Sequence, residues 1–204
     1  YICALADMAV YDTDMNDVVR QEMDRFGWRF TDYRNKDARA NTVFYSLVNM
    51  QAEPGQRETL IVIPGTEKLK DIEVDLRCSK VLFGGSNINE FRQYAEQEKV
   101  DKNAPMVHRG FNDYTMTAFF TPRESGKIAA DEIQKFLSES NDHLYITGHS
   151  LGGAVATLLG ARLVAAGADT SKLSIVTFGA PTVGNTAFAE EYGCLLDVSR
   201  YTMS

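Results

Sequence analysis

The sequence predicts an α/β fold with a mostly parallel central sheet that is flanked by helices. Short apolar and β-branched runs, which are typical of buried strands, alternate with segments of helical spacing along the 204 residues. The clearest example is residues 143–167, where the apolar run LYIT is followed by GHSLG and then by a stretch of helix formers. Strands that alternate with helices pair in parallel and have both faces covered.

The elements follow from hydrophobic spacing and from turn residues. Gly27 and Gly167 are each expected to end a helix, and Asn16 is expected to cap the start of the helix that ends at Gly27. The polar stretch 89–99 is expected to be exposed. Extended structure begins at residues 28–30. Predicted strands are residues 42–50, 59–63, 80–83, 144–147, 173–178 and 198–203. Predicted helices are residues 2–10, 17–26, a helix that follows 107–111 and ends near 120, 127–137, the segment after residue 150, and 186–192.

Composition and charge indicate one ordinary globular domain that spans residues 1–204. The chain is 44% hydrophobic and 24% charged, with a formal net charge of -7. This acidic balance argues against nucleic acid as a partner and against simple attraction to anionic membranes. No apolar run approaches transmembrane length. The three cysteines, Cys3, Cys78 and Cys194, are expected to be buried thiols, with one disulfide pair left open, and no ligand cluster predicts a metal or cofactor.

The segment Gly148-His149-Ser150-Leu151-Gly152 fits the pattern G-x-S-x-G in the context of strand, tight turn and helix. In that context Ser150 is the expected nucleophile, held in a strained backbone conformation, and the two glycines leave room for neighbouring chain. The backbone N–H of Leu151, the residue after the nucleophile, is the expected first donor of an oxyanion hole. The alternative is a glycine-rich turn with an incidental serine.

Five segments follow one another in the order that a known family shows: residues 61–66 (IVIPGT), 71–76 (DIEVDL), 107–111 (VHRGF), 148–154 (GHSLGGA) and 177–185 (TFGAPTVGN). Taken together they resemble the class 3 lipases, a branch of the α/β-hydrolases. The resemblance implies a serine hydrolase that cleaves carboxylic esters of lipids through an acyl-enzyme on Ser150, at a lipid–water interface. The chain differs from the usual family pattern at Pro64, where arginine is frequent, and at Ile72, where tryptophan is usual.

The resemblance also assigns roles to the segment after the strand at 59–63. Thr66 is implied as the second oxyanion-hole residue, through its N–H and its hydroxyl; the alternative role, capping a helix at Glu67, can coexist with this one. Residues 67–76 stand where the family has its lid, which would cover the site in water and open at a lipid surface. The alternative is an ordinary surface helix with one buried stripe.

The acid and the base of a catalytic triad are not visible in this sequence. In this fold the order is nucleophile, acid, histidine, yet His108, His143 and His149 all precede Ser150. His149 is expected to have a packing role, His108 a hydrogen-bonded structural role, and His143 an exposed position at the opposite end of the sheet. The later aspartates, Asp169 and Asp197, precede strands and are expected at the far edge of the sheet.

We therefore expect the C-terminal part of the fold, with the acid and the histidine, to lie in a further segment or in a second chain. Two alternatives to an active ester hydrolase stay open at this stage: a catalytically inactive lipid-binding or interaction module, and an incomplete fragment of a hydrolase. Family members are often secreted, although no export signal is visible in this sequence.

Overall fold

The computed structural model describes residues 1–11, 14–36, 41–65, 79–98, 101 and 103–202. Within these ranges the central sheet has six strands, and its three parallel pairings agree with the predicted mostly parallel sheet. The strands are β1 (Trp28–Lys36), β2 (Asn41–Asn49), β3 (Glu58–Ile63), β6 (His143–His149), β7 (Leu173–Phe178) and β8 (Val198–Tyr201), in that spatial order. The two pairings among β1, β2 and β3 are antiparallel, and β2 and β3 form a hairpin.

Helices cover both faces of the sheet, as alternating strands and helices require. A separate antiparallel pair is formed by β4 (Lys80–Leu82) and β5 (Met106–His108). The described helices are α1 (Ile2–Ala9), α2 (Asp14–Arg25), α3 (Ile88–Ala95), α4 (Arg109–Phe120), α5 (Ala129–Glu139), α6 (Leu151–Ala165) and α7 (Thr186–Tyr192), the last followed by a 3-10 turn at Gly193–Leu195. None of the helices in the described ranges is long and apolar enough to cross a membrane.

Successive side chains of a β-strand point to opposite faces of the sheet, and here they pack into two separate cores. Ile61, Ile63 and Ile146 face the core formed with α4, α5 and α6. Leu60 and Val62 face the other core, which is formed with α1 and α2. The carboxyl ends of β3 and β6 therefore lie between two packed layers. Ser150 directly follows β6 at this edge of the sheet.

Three sequence predictions need correction. Helix α2 begins three residues before its predicted start, so Asn16 lies inside its first turn instead of capping it. The polar stretch after residue 88 is not simply exposed, because it contains α3, whose Phe91 is only 1% exposed. Asn87 begins this helix by accepting hydrogen bonds from the N–H groups of Asn89 and Glu90.

The third correction concerns the cysteines. Cys194 is exposed and free, not buried, whereas Cys3 is buried as predicted; Cys78 lies outside the described residues.

A buried arginine ties the C-terminal half of α6 to two neighbouring segments. The guanidinium of Arg162 lies between the rings of Phe83 and Phe91, 3.8 and 4.3 Å from their centroids. It donates hydrogen bonds to the carbonyl oxygen of Gly84 at 2.9 Å and to the side-chain oxygen of Asn112 at 3.0 Å. Burial lowers the pKa of Arg162 to about 9. This contact fixes the loop after β4 against α4 and α6.

A buried carboxyl group lies on the other face of the sheet. Asp7, on α1, is 5% exposed, and its Oδ2 accepts a hydrogen bond from the Thr147 hydroxyl at 3.2 Å, while its Oδ1 has no partner within the described ranges. Burial raises the pKa of Asp7 to about 8, and the Thr147 hydrogen bond offsets this only in part. The folded chain therefore favours the neutral form of this side chain.

The raised pKa of Asp7 predicts a stability that falls with rising pH. The folded pKa of about 8 is above the unfolded value of about 3.9, so the folded state binds the extra proton in between. Stability should be at its full value below the unfolded pKa, decline as pH rises between the two values, and level off above the folded one. Urea unfolding at several pH values across this range should show that the free energy of unfolding of the wild-type protein falls by several kcal/mol relative to that of Asp7→Asn.

The exposed Asp24 on α2 supplies the control. Asp24→Asn should follow the wild-type pH curve at every point, because its carboxylate is solvated in both states. Parallel pH curves for wild type and Asp7→Asn would show that the Asp7 carboxyl is not desolvated by α1 packing.

Candidate active site

Ser150 stands at the turn between β6 and α6 in a conformation that L-residues rarely adopt. Its φ is 54° and its ψ is -122°, and among the described residues it is the one non-glycine residue with positive φ. Two backbone hydrogen bonds hold it there: its N–H donates to Phe178 at 2.9 Å, and its carbonyl oxygen accepts from Ala154 at 3.2 Å. The predicted strand, sharp turn and helix are confirmed.

The glycines on either side of Ser150 are required by close backbone contacts. A Cβ on Gly152 would lie 1.9 Å from the carbonyl oxygen of Ile63, and a Cβ on Gly148 would lie 2.4 Å from the carbonyl carbon of Gly152. Both distances are far below van der Waals contact, and the neighbours are backbone atoms that cannot turn away. The prediction that these glycines make room for the neighbouring chain is confirmed.

The loop after β3 reaches the same point. A Cβ placed on Gly65 would lie 3.4 Å from the Cβ of Ser150 and 2.7 Å from the carbonyl oxygen of His149, so the loop backbone is in contact with the turn. The N–H of Leu151 is the first of α6 and has no acceptor within the described ranges. Thr66, the expected second donor, and the expected lid at 67–76 lie outside the described residues.

The electrostatics of this turn favour negative charge. The free N–H groups and the aligned peptide dipoles at the start of a helix correspond to a partial positive charge there. Ser150 is 7% exposed and has no hydrogen-bond partner for its hydroxyl among the residues described. The arrangement is chemically suited to an oxyanion formed at a carbonyl group that is attacked by Ser150.

The ring of His149 binds Tyr11 instead of Ser150. Its Nδ1 lies 2.7 Å from the Tyr11 hydroxyl oxygen, which also accepts the N–H of Gly65 at 3.1 Å. The Tyr11 and His149 rings meet edge to face, with centroids 5.8 Å apart. This position agrees with the expectation that His149 is not the base. Sequence reasoning did not single out Tyr11, since no local pattern marks it.

His143 lies at the opposite end of β6 and is half-buried, which corrects the expectation that it is exposed. Its Nε2 lies 3.0 Å from the Ser174 hydroxyl, which donates to Asp197 at 2.6 Å. Serine, histidine and aspartate are the residue types of a catalytic triad, but here Ser174 lies between His143 and Asp197. The Ser174 hydroxyl donates its proton to the Asp197 carboxylate, which is too weak a base to generate an alkoxide. Asp169 accepts a hydrogen bond from the backbone N–H of Ser171, and both residues precede β7.

His108 precedes α4 and packs against Phe111, with ring centroids 4.5 Å apart. Both of its ring nitrogens are buried and have no hydrogen-bond partner in the part of the chain that the structure describes. The expected hydrogen-bonded role of His108 therefore finds no partner in these ranges. His108 belongs to β5, which pairs with β4 and is not part of the six-stranded sheet.

A cavity of about 140 Å³ lies between α5 and the sheet, away from Ser150. Its wall includes Thr59 and Leu144, which belong to the amino-terminal ends of β3 and β6, together with Phe44 and Ile133. Ser150 follows the carboxyl end of β6. The cavity therefore lies at the edge of the sheet opposite Ser150 and cannot hold a molecule that reacts with the Ser150 hydroxyl.

A strained serine at a strand-to-helix turn of a mostly parallel sheet defines the class: this is an α/β-hydrolase-type fold. A lipase from Rhizopus microsporus var. chinensis superposes with a TM-score of 0.66 at 20% identity, covering 98% of this chain and 63% of that chain. A fungal lipase–inhibitor complex superposes with a TM-score of 0.65 at 19% identity, covering 98% of this chain and 68% of the other. At these identities the likeness shows the fold alone.

Sequence comparison goes further than the fold. The family model of the class 3 lipases matches residues 60–203, and the chain belongs to that family. A lipase of Caenorhabditis elegans is 48% identical over 60 residues, covering 29% of this chain and 17% of the relative. A phospholipase A1 of Oryza sativa subsp. japonica is 33% identical over 148 residues, covering 66% of this chain and 34% of the relative. The chain thus spans at most 34% of the length of these two curated relatives.

The contact between Gly152 and Ile63 predicts a specific sensitivity to one methyl group. Gly152→Ala should lower the free energy of unfolding by about 3 kcal/mol, because its Cβ would meet a carbonyl oxygen that cannot move. Gly193→Ala is the matched control, since Gly193 has an ordinary helical φ of -64° and no atom within 4 Å of an added Cβ. The control should change stability by no more than about 0.5 kcal/mol in urea unfolding.

The strain at Ser150 predicts that glycine is more stable there than serine. Ser150→Gly should raise the free energy of unfolding by about 1 kcal/mol or more, because only glycine tolerates φ of 54° with ψ of -122°. Ser150→Ala should give no such gain, because alanine keeps the Cβ. Equal stabilities for the glycine and alanine variants in thermal or urea unfolding would mean that the backbone at Ser150 is unstrained.

Proposed function

We propose that the whole protein is a serine hydrolase that cleaves carboxylic esters of lipids through an acyl-enzyme on Ser150. The observation that carries this proposal is the strained serine at the start of α6, next to the free N–H of Leu151. Strain of this kind is retained at functional sites because it fixes a reacting group in place. The relatives named as lipase and phospholipase A1 support a lipid ester as the substrate.

The proposed reaction has two halves. In the first, the Ser150 oxygen attacks the ester carbonyl carbon while a base takes the serine proton; the alcohol then leaves with that proton, and the acyl group stays on Ser150. In the second, a water molecule gives a proton to the base and attacks the acyl carbon. The bond from that carbon to the Ser150 oxygen then breaks, the serine oxygen takes the proton from the base, and the carboxylic acid leaves. In both halves the carbonyl oxygen becomes an oxyanion, which the N–H of Leu151 stabilises together with the proposed donor Thr66.

The acid and the base are proposed to come from elsewhere in the whole protein, in a further segment or a second chain. Within the described ranges, the rings of His143 and His149 bind Ser174 and Tyr11, and neither faces the Ser150 hydroxyl. Asp169 and Asp197 precede β7 and β8, at the edge of the sheet opposite Ser150. The order of nucleophile, acid and histidine in this fold agrees with a base that follows Ser150 in the chain.

The second candidate function is a catalytically inactive lipid-binding module on the same scaffold. The observation that favours it is the low exposure of Ser150, 7%, because an ester must reach the hydroxyl oxygen. The conformation of Ser150 favours the hydrolase, since a binding module has no use for a strained serine. A lid that opens at a lipid surface, proposed for residues 67–76, would reconcile the low exposure with catalysis.

Substitution of Ser150 separates the two candidates. In the whole protein, Ser150→Ala should lower kcat on a lipid ester by at least about a thousand-fold, because the acyl-enzyme can no longer form. Binding to phosphatidylcholine vesicles should be unchanged, because the hydroxyl makes no contact that binding requires. Ser174→Ala is the matched control: it removes a hydroxyl from the opposite edge of the sheet and should leave kcat unchanged. Full ester hydrolysis by Ser150→Ala would overturn the proposal.

A further inference from the structure

One hydroxyl group joins the two backbone segments that meet at Ser150. The Tyr11 oxygen accepts the N–H of Gly65, in the loop after β3, at 3.1 Å. The same oxygen lies 2.7 Å from Nδ1 of His149, the residue before Ser150. In the tautomer of His149 that carries its proton on Nε2, the Tyr11 O–H donates to Nδ1, so the hydroxyl uses its donor and one acceptor position at the site.

The site is built to admit this hydroxyl. A Cβ on Gly65 would lie 2.3 Å from the Tyr11 oxygen, so the hydroxyl occupies the space that any side chain at 65 would need. Tyr11 itself is held by the packing of α1, because Ala6 and Ala9 are fully buried against the sheet and Val10 is 6% exposed. The oxygen therefore has a fixed position relative to the ends of β3 and β6.

We propose that Tyr11 is a positioning residue of the oxyanion site, acting through the backbone of Gly65 and the ring of His149. Its hydroxyl holds the loop after β3 at a set distance from Ser150, and Gly65 directly precedes the proposed donor Thr66. This inference rests on the proposed function of Ser150. Tyr11 makes no bond to the Ser150 hydroxyl, so its effect is on geometry and not on proton transfer.

The chain offers a matched control in Tyr114. Its hydroxyl donates to the carbonyl oxygen of Val43 at 2.8 Å and accepts the Val43 N–H at 3.1 Å. Like the Tyr11 hydroxyl, it makes two hydrogen bonds, but these join α4 to β2 and do not involve the residues beside Ser150. Tyr114→Phe therefore reports what the loss of such a hydroxyl costs in stability alone.

The structural half of the test needs no catalysis. Hydrogen exchange of the Gly65 amide, followed by ¹⁵N-resolved NMR, should be at least about ten-fold faster in Tyr11→Phe than in wild type, because the amide loses its acceptor. The ¹⁵N shift of His149 Nδ1 should change in the same variant. Tyr114→Phe should leave both signals as in wild type. An unchanged Gly65 exchange rate in Tyr11→Phe would overturn the inference, whether or not the protein is an enzyme.

The kinetic half uses the whole protein and a soluble ester. Tyr11→Phe should lower kcat about ten- to hundred-fold and leave KM within about two-fold, because a displaced donor weakens the transition state more than substrate binding. Tyr114→Phe should keep wild-type kcat. A wild-type kcat in Tyr11→Phe, or an equal loss in both variants, would overturn the positioning role. Failure of the proposed function would be seen separately, as full activity in Ser150→Ala with the Gly65 exchange result intact.

Discussion

The close approach of α6 to the end of β3 is the constraint on which the rest of the site depends. Gly152 lies so near Ile63 that a Cβ would come within 1.9 Å of the carbonyl oxygen. This approach sets the loop at Pro64 and Gly65 beside Ser150, and it directs the first N–H groups of α6 toward the same point. Because the facing atoms are backbone, no rotamer change can relieve an added methyl group. The chemistry that we propose for Ser150 thus depends on the absence of a side chain two residues away.

Buried polar groups hold the layers on both sides of this contact. On one face Arg162 stacks between two phenylalanine rings and binds Gly84 and Asn112, which fixes α6 behind the turn. On the other face Asp7 binds Thr147, and Tyr11 binds Gly65. Burying such groups opposes folding, so their presence is explained by orientation more than by stability. Packing of α1 and α6 against opposite faces leaves the turn little freedom to relax.

Most of the fold could be predicted from local signals, because strands, helices and glycine stops are set by the spacing of a few neighbouring residues. The turn at Ser150 could be predicted because all its parts lie within one short segment. Helix α3 was missed because only two of its residues, Phe91 and Ala95, are buried, and polar residues dominate the stretch 89–99. The role of Tyr11 was missed because it contacts residues 54 and 138 positions away, which only the packing of α1 brings together. The proposed base could not be predicted because no histidine follows Ser150, and the later aspartates, Asp169 and Asp197, precede strands.

In the proposed reaction, Ser150 takes the acyl group from an ester of a lipid. The most direct measurement is rapid-quench peptide mapping by mass spectrometry during turnover of a p-nitrophenyl acyl ester by the whole protein. We expect an adduct with the mass of the acyl group on the peptide that contains Ser150, formed and lost at rates that match turnover. Turnover with no adduct on that peptide, or with the adduct on another residue, would rule out an acyl-enzyme on Ser150.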